Sequence, residues 1–172
     1  GRAVANGSTT SVNLGQLTAM IGVANTECGS YYTVFCKSDK PVWNCGQNGQ
    51  GQLGRAVANG STTSINLGQL TTMGDVIDMD CGQYHTVLCK SDKTVWNCGE
   101  NNYGQLGRAV ANGSTTSVNL GQLTTMVGVA NTACGIYSTV FCKSDKTVWN
   151  CGQNSQGQLG RAVATGSTIS IN

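Results

Sequence analysis

The sequence predicts an all-β protein in which short antiparallel strands are grouped into repeated blades. Three observations carry this. GRAVANGSTTS begins at Gly1, Gly54 and Gly107, and GRAVATGSTIS at Gly160, which sets a period of 53 residues. Each period holds one strand, turn, strand signature. Helical spacing is nowhere sustained over a window of about 11 residues, the length that would support an amphipathic helix. The repeats therefore run 1–53, 54–106 and 107–159, and 160–172 starts a fourth. With this phase at both ends and no initiator Met, the chain is expected to be a processed product or a segment of a longer array.

The elements follow in order within one period. Val12-Asn13-Leu14 through Leu17 is a candidate outer strand, and Gly22 to Gly29 holds a short strand bounded by glycine. Tyr32-Thr33-Val34-Phe35-Cys36 is rich in β-branched and aromatic residues; Lys37-Ser38-Asp39-Lys40 is a polar turn; Val42-Trp43-Asn44-Cys45 resumes the pattern before Gly46. A two-residue turn at Asp39-Lys40 would place Cys36 opposite Trp43 and Cys45 opposite Val34. Three or four such strands per period, with glycine-rich connections, predict propeller blades or a related β-repeat stack.

Composition removes several functions. Ten Lys and Arg against eight Asp and Glu give a net charge of +2 with no basic run, too weak for an electrostatic nucleic-acid surface. No apolar stretch approaches the roughly 18 residues of a membrane-spanning helix. No nucleophile, base and orienting acid stand in a recognisable arrangement, and the single His, His85, is expected to fill a packing position. Asp39, Asp92 and Asp145 recur in Lys-flanked turns, where Asp serves turn hydrogen bonding. The GQLG glycines are followed by neither a Lys-Ser/Thr pair nor a helix, so they form no phosphate loop. Trp43, Trp96 and Trp149 are expected to pack between blades. No catalytic residue, cofactor or metal site is expected.

Each repeat carries cysteines in C-x7-C-x8-C spacing: Cys28, Cys36, Cys45; Cys81, Cys89, Cys98; Cys134, Cys142, Cys151. No CxxC pair occurs, which argues against zinc. Two readings stand: buried thiols acting as small hydrophobes, or disulfides in an oxidising compartment. In the predicted register Cys28 faces away from Cys36 and Cys45, so any disulfide is expected to link adjacent blades. Asn6, Asn59 and Asn112 each begin Asn-Gly-Ser, which reads either as an N-glycosylation acceptor or as a turn using Asn-Gly. Cysteines and sequons together favour an extracellular location, with an intracellular one as the alternative.

The succession Val76-Ile77-Asp78-Met79-Asp80-Cys81-Gly82-Gln83-Tyr84-His85-Thr86-Val87-Leu88, then Val95-Trp96-Asn97-Cys98-Gly99-Glu100-Asn101, then Gly104-Gln105-Leu106-Gly107, resembles the RCC1 (regulator of chromosome condensation) repeat. That pattern has a V..V.CG..HT.AL core, a V..WG.N strand end and a GQLG turn. Here Cys45, Cys98 and Cys151 stand before the glycine and Trp lies two positions earlier, while Tyr32 and Ser138 occupy the place of His85. The resemblance implies four-stranded propeller blades: three, plus the start of a fourth, open or completed by other copies. It also implies a family of interaction platforms.

Aligned, 38 of the 53 columns are identical in all three repeats, the loops among them. Uniform loops suit an array in which each repeat makes the same contact with the next. The leading expectation is a non-enzymatic, extracellular, glycosylated and disulfide-linked stack or filament, with copies of itself or further repeats as partners. The alternative is a soluble RCC1-like propeller acting as a protein-interaction module.

Overall fold

The computed structural model describes residues 16–55, 65–108 and 118–161. The three sequon positions, Asn6, Asn59 and Asn112, lie outside them. The described residues are all-β, as expected, and form three antiparallel sheets. The first sheet orders β1 (Val23–Cys28), β2 (Tyr32–Lys37), β3 (Val42–Gly46) and β4 (Ile65–Gln69) from one edge to the other. The second repeats this with β5 (Val76–Cys81), β6 (His85–Lys90), β7 (Thr94–Gly99) and β8 (Val118–Val127). The third holds β9 (Val129–Cys134), β10 (Ser138–Lys143) and β11 (Val148–Gly152). Each four-stranded sheet thus takes its outer strand, β4 or β8, from the following 53-residue repeat. The segment containing Val12 to Leu17 is the same pattern one period earlier.

The central hairpin differs from the expected register by one residue. Cys36 pairs with Val42, Phe35 with Trp43 and Thr33 with Cys45, and the same holds in the other two sheets. The cause is a three-residue loop, Ser38 to Lys40, closed by Lys37 N–H donating to Pro41 O and Lys40 N–H donating to Lys37 O. Lys40 takes the left-handed conformation at φ 75°, as do Lys93 and Lys146. Because side chains alternate, the one-residue slip moves Cys45 to the opposite face from Cys36. Cys28 pairs with Thr33, so Cys28, Thr33 and Cys45 form one row across the sheet.

The core lies between sheets rather than within one. Tyr32, Val34, Cys36 and Val42 of the first sheet pack against Met79, Cys81 and Leu88 of the second, with Leu53, Leu70 and Met73 sealing the cluster. Val87, Cys89 and Val95 pack in the same way against Val129, Phe141 and Cys151. Leu53 and Leu106 of the GQLG turns are fully buried, each worth about 2 kcal/mol of apolar burial. The inner strands β1, β5 and β9 run side by side along the array. This is propeller geometry: sheets packed face to face, with their first strands toward a common axis.

Candidate interaction surfaces

Most polar side chains of the repeat motif are consumed inside the blade. Asn97 Nδ2 donates to Leu106 O at 2.8 Å, and its Oδ1 accepts from Arg108 Nε at 2.6 Å. Asn101 Oδ1 accepts the Leu106 amide at 2.8 Å, and Gln105 Oε1 accepts the Tyr103 amide at 2.9 Å. Arg108 then reaches over the sheet to donate to Asn119 O of β8 at 2.6 Å. Asn44, Asn48, Gln52 and Arg55 repeat these bonds one blade earlier. The GQLGR motif is therefore a strand clip, not a ligand loop.

A second network joins blades. Tyr32 OH donates to His85 O at 2.5 Å, and Thr86 Oγ1 donates to Gln52 O at 2.7 Å. One blade later Thr139 Oγ1 donates to Gln105 O at 2.7 Å, which leaves it as the acceptor for His85 Nε2 at 3.0 Å. His85 Nε2 is thus the donor, and Nδ1 is buried without a hydrogen-bond partner. Burial holds its pKa down at about 4. A base sealed in that state is a packing residue, as the sequence suggested. Asp78 accepts from Thr132 N and Oγ1 at 2.7 and 3.0 Å, and Asp80 accepts from Cys134 N at 2.6 Å. These carboxylates satisfy inner-edge amides of β9 that have no strand partner. Sequence reasoning passed over them because Asn25, Glu27, Asn131 and Ala133 hold the equivalent positions.

The disulfide expectation requires correction, since none of the nine cysteines forms a disulfide. Four of the thiols lie at the interfaces between blades, where they bond to carbonyl oxygens. Cys36 Sγ points to Val76 O at 3.6 Å and Cys89 Sγ to Val129 O at 3.2 Å, each in the next blade. Cys98 and Cys151 point back to Gln52 O and Gln105 O, both at 3.4 Å. Burial pushes the thiols of Cys81, Cys98 and Cys151 up to about 12. They behave as small hydrophobes with a weak donor.

The two ends of the blades differ in chemistry. One end carries the β2–β3, β6–β7 and β10–β11 turns. In the latter two, Asp92 and Asp145 accept from Thr94 and Thr147 and lie 3.9 and 3.4 Å from Lys90 and Lys143. The other end carries Tyr31, Tyr84 and Tyr137, one per blade in the same phase. Tyr31 and Tyr84 stack with ring centroids 6.2 Å apart, and Tyr103 packs on Tyr137 at 4.6 Å. Tyr31 and Ile136 are 65% and 63% exposed, large values for such side chains. Partial desolvation, and after it Glu100 and the neighbouring tyrosines, raises the Tyr137 phenol above its usual range. This rim was detectable in the sequence only as a Tyr recurring every 53 residues. Trp96 is half-buried against the cluster between the first two sheets, Trp43 is half-buried on the opposite face of the first sheet, and Trp149 is 54% exposed.

Among the described residues there is no cluster of His, Cys, Asp and Glu fit for a metal ion, and no helix is long and apolar enough to cross a membrane. Face-to-face four-stranded sheets with an internally bonded turn motif define a propeller-type repeat protein. Residues 76–105 match the family model described as regulator of chromosome condensation (RCC1) repeat. The chain is 31% identical over 143 residues to human E3 ubiquitin-protein ligase HERC2, covering 80% of this chain and 3% of that protein. It superposes on the crystal structure of human WBSCR16 with TM-score 0.71 at 24% identity, covering 87% of this chain and 41% of that one. For Prp20p of Saccharomyces cerevisiae the TM-score is 0.66 at 18% identity, covering 87% and 37%. Residues 76–105 are thus an RCC1 repeat, and the chain has the fold of RCC1-type propellers. It spans only a small part of its curated relatives' length.

Proposed function

We propose that this chain is a non-enzymatic RCC1-type propeller segment that serves as a protein-interaction module. The observation that carries this is the aromatic rim: Tyr31, Tyr84 and Tyr137, with Ile136, present apolar surface at one end of the blades. Tyrosine offers large contact area at low conformational cost, which is why it is enriched in interface cores. The motif's polar groups, by contrast, are occupied in holding the fold. The relatives are consistent with this reading. Prp20p is described by its binding to Gsp1p and histones, and HERC2 is named a ubiquitin ligase. The reading favoured by the uniform loops alone, an extracellular disulfide-linked filament, has less support, because its cross-links are absent.

The test places a photo-reactive side chain at Tyr84 or at Lys146, on opposite ends, and identifies cross-linked partners. Specific adducts from position 84, lost on Ile136→Lys, are expected. Adducts from position 146 alone, or equal labelling from both, would overturn the assignment of the rim.

A further inference from the structure

The second blade departs from its near-identical neighbours at one turn. Where the first reads Gln47-Asn48-Gly49-Gln50 and the third Gln153-Asn154-Ser155-Gln156, the second reads Glu100-Asn101-Asn102-Tyr103. The turn itself is the same in all three. Asn48, Asn101 and Asn154 each accept the amide of Leu53, Leu106 or Leu159 at 2.8 Å. The amides of Gln50, Tyr103 and Gln156 each donate to a glutamine oxygen at 2.8 or 2.9 Å. Even the contact made by residue 100 needs no charge. Gln158 Nε2 donates to Gln153 Oε1 at 3.4 Å, the distance at which Gln105 Nε2 donates to Glu100 Oε2. Glutamine at both positions satisfies the fold, so the carboxylate and the added ring of the second blade serve something else.

The three changed residues act together. Asn102 Nδ2 donates to Glu100 Oε1 at 2.6 Å and holds the carboxylate in place. The Tyr103 ring packs on Tyr137 of the third blade with centroids 4.6 Å apart. After partial desolvation, Glu100, Tyr103 and Tyr84 are what raise the Tyr137 phenol, so Tyr137 lies within electrostatic reach of all three. The four residues meet at an internal junction, between the second blade and the third. Glu100 is only 8% exposed, and among the described residues no cation pairs with it. The ion pairs there join Lys90 to Asp92 and Lys143 to Asp145 at the opposite end, and the Arg108 guanidinium is taken up by Asn97 and Asn119. Carboxylates are rarely this covered without a positive partner. The bonds from Asn102 and Gln105 still leave each oxygen a lone pair, and the tyrosine faces add the negative potential of their ring quadrupoles.

We infer that Glu100, Tyr103 and Tyr137, flanked by Tyr84, form a binding site for an arginine side chain of a partner protein. This deepens the reading of the rim as an interaction surface and rests on it. A guanidinium is planar, so it lies flat on a phenol face while its edge N–H groups donate to the carboxylate; an ammonium, a compact point charge, offers no such fork.

Nuclear magnetic resonance on the chain with labelled tyrosine rings tests this, because there are only five tyrosines and the buried Tyr32 serves as an internal reference. The end-blocked peptide Gly-Gly-Arg-Gly-Gly at millimolar concentration is expected to shift Tyr103 and Tyr137 saturably and to leave Tyr32 unmoved. The same peptide with citrulline, which keeps the shape and loses the charge, should shift neither. Glu100→Gln, which copies the other two blades, should weaken binding roughly tenfold without lowering the thermal midpoint, and Tyr103→Gln should weaken it as well. No saturable shift, equal shifts with citrulline, tighter binding of the lysine peptide, or an affinity indifferent to Glu100→Gln would each overturn the arginine site. The site and the rim fail separately. Partner adducts from a photo-reactive position 84 that Glu100→Gln leaves unchanged would keep the rim as an interaction surface and overturn the arginine site. Arginine binding without any adducts from position 84 would support the site and overturn the wider rim.

Discussion

The guanidinium of Arg108 lies over Gly121, so close that an added Cβ would sit 3.1 Å from its central carbon. The side chain can lie flat across the sheet only because residue 121 has none. Gly121→Val should push Arg108 off Asn97 and Asn119, breaking two charge-assisted hydrogen bonds at 2.6 Å. Loss of such bonds costs roughly 2–4 kcal/mol. A fall in the urea midpoint, with Arg108→Ala adding little further loss in the double variant, would show that both act through one clip. Additive losses would separate them.

Tyr32 to Phe removes the hydroxyl that donates to His85 O while leaving the ring in place over Gly29. The carbonyl keeps its bond from Gly82 N–H. The expected loss is about 1–2 kcal/mol, read as a lower thermal midpoint with no change in β-sheet circular dichroism.

His85 makes stability depend on pH in a defined window. Its folded pKa of about 4 lies below the ordinary value of 6.5. Between these values the unfolded chain binds the proton and the folded chain does not. Stability therefore falls as pH drops from about 6.5 and stops falling near 4, a loss of roughly 3 kcal/mol from this residue. His85→Tyr, which copies the first blade, should fold and flatten that part of the curve. A curve still as steep between pH 6.5 and 4 would assign the effect elsewhere.

The cysteines should react in order of exposure. At pH 8 and high dilution, iodoacetamide is expected to reach Cys28 first. Cys98, fully buried with a pKa near 12, has a thiolate fraction roughly a thousandfold below that at its ordinary value of 9.0. Peptide mass mapping over time should find Cys98 and Cys89 labelled only in denaturant. Early labelling of either would mean that the interfaces between blades open readily.

Strand positions, the hairpin and the all-β class were legible because they rest on local patterns: alternation from Tyr32 to Cys36, the polar turn, and glycine at 46. The register was not. A left-handed Lys40 carries no glycine signal, and the extra loop residue it permits reverses the face of Cys45. The outer strand's partner was hidden for another reason. Gly68 meets Asn44, and Asn66 meets Arg55, through tertiary pairing, and identical repeats give no sign of which neighbour a strand joins. The bonds between blades, such as His85 to Thr139 and Asp78 to Thr132, link residues about one period apart and differ from blade to blade. No single repeat displays them.

The borrowed outer strand also bears on how such a chain can change length. Asn-Leu-Gly-Gln-Leu is the same in every repeat, so a duplicated or deleted 53-residue unit always finds a matching strand at each new junction. The sheet does not register the event. Blade number is thus free to drift by unequal recombination without any compensating substitution, and what limits it must come from the few positions that differ between repeats, the carboxylates of Asp78 and Asp80 among them.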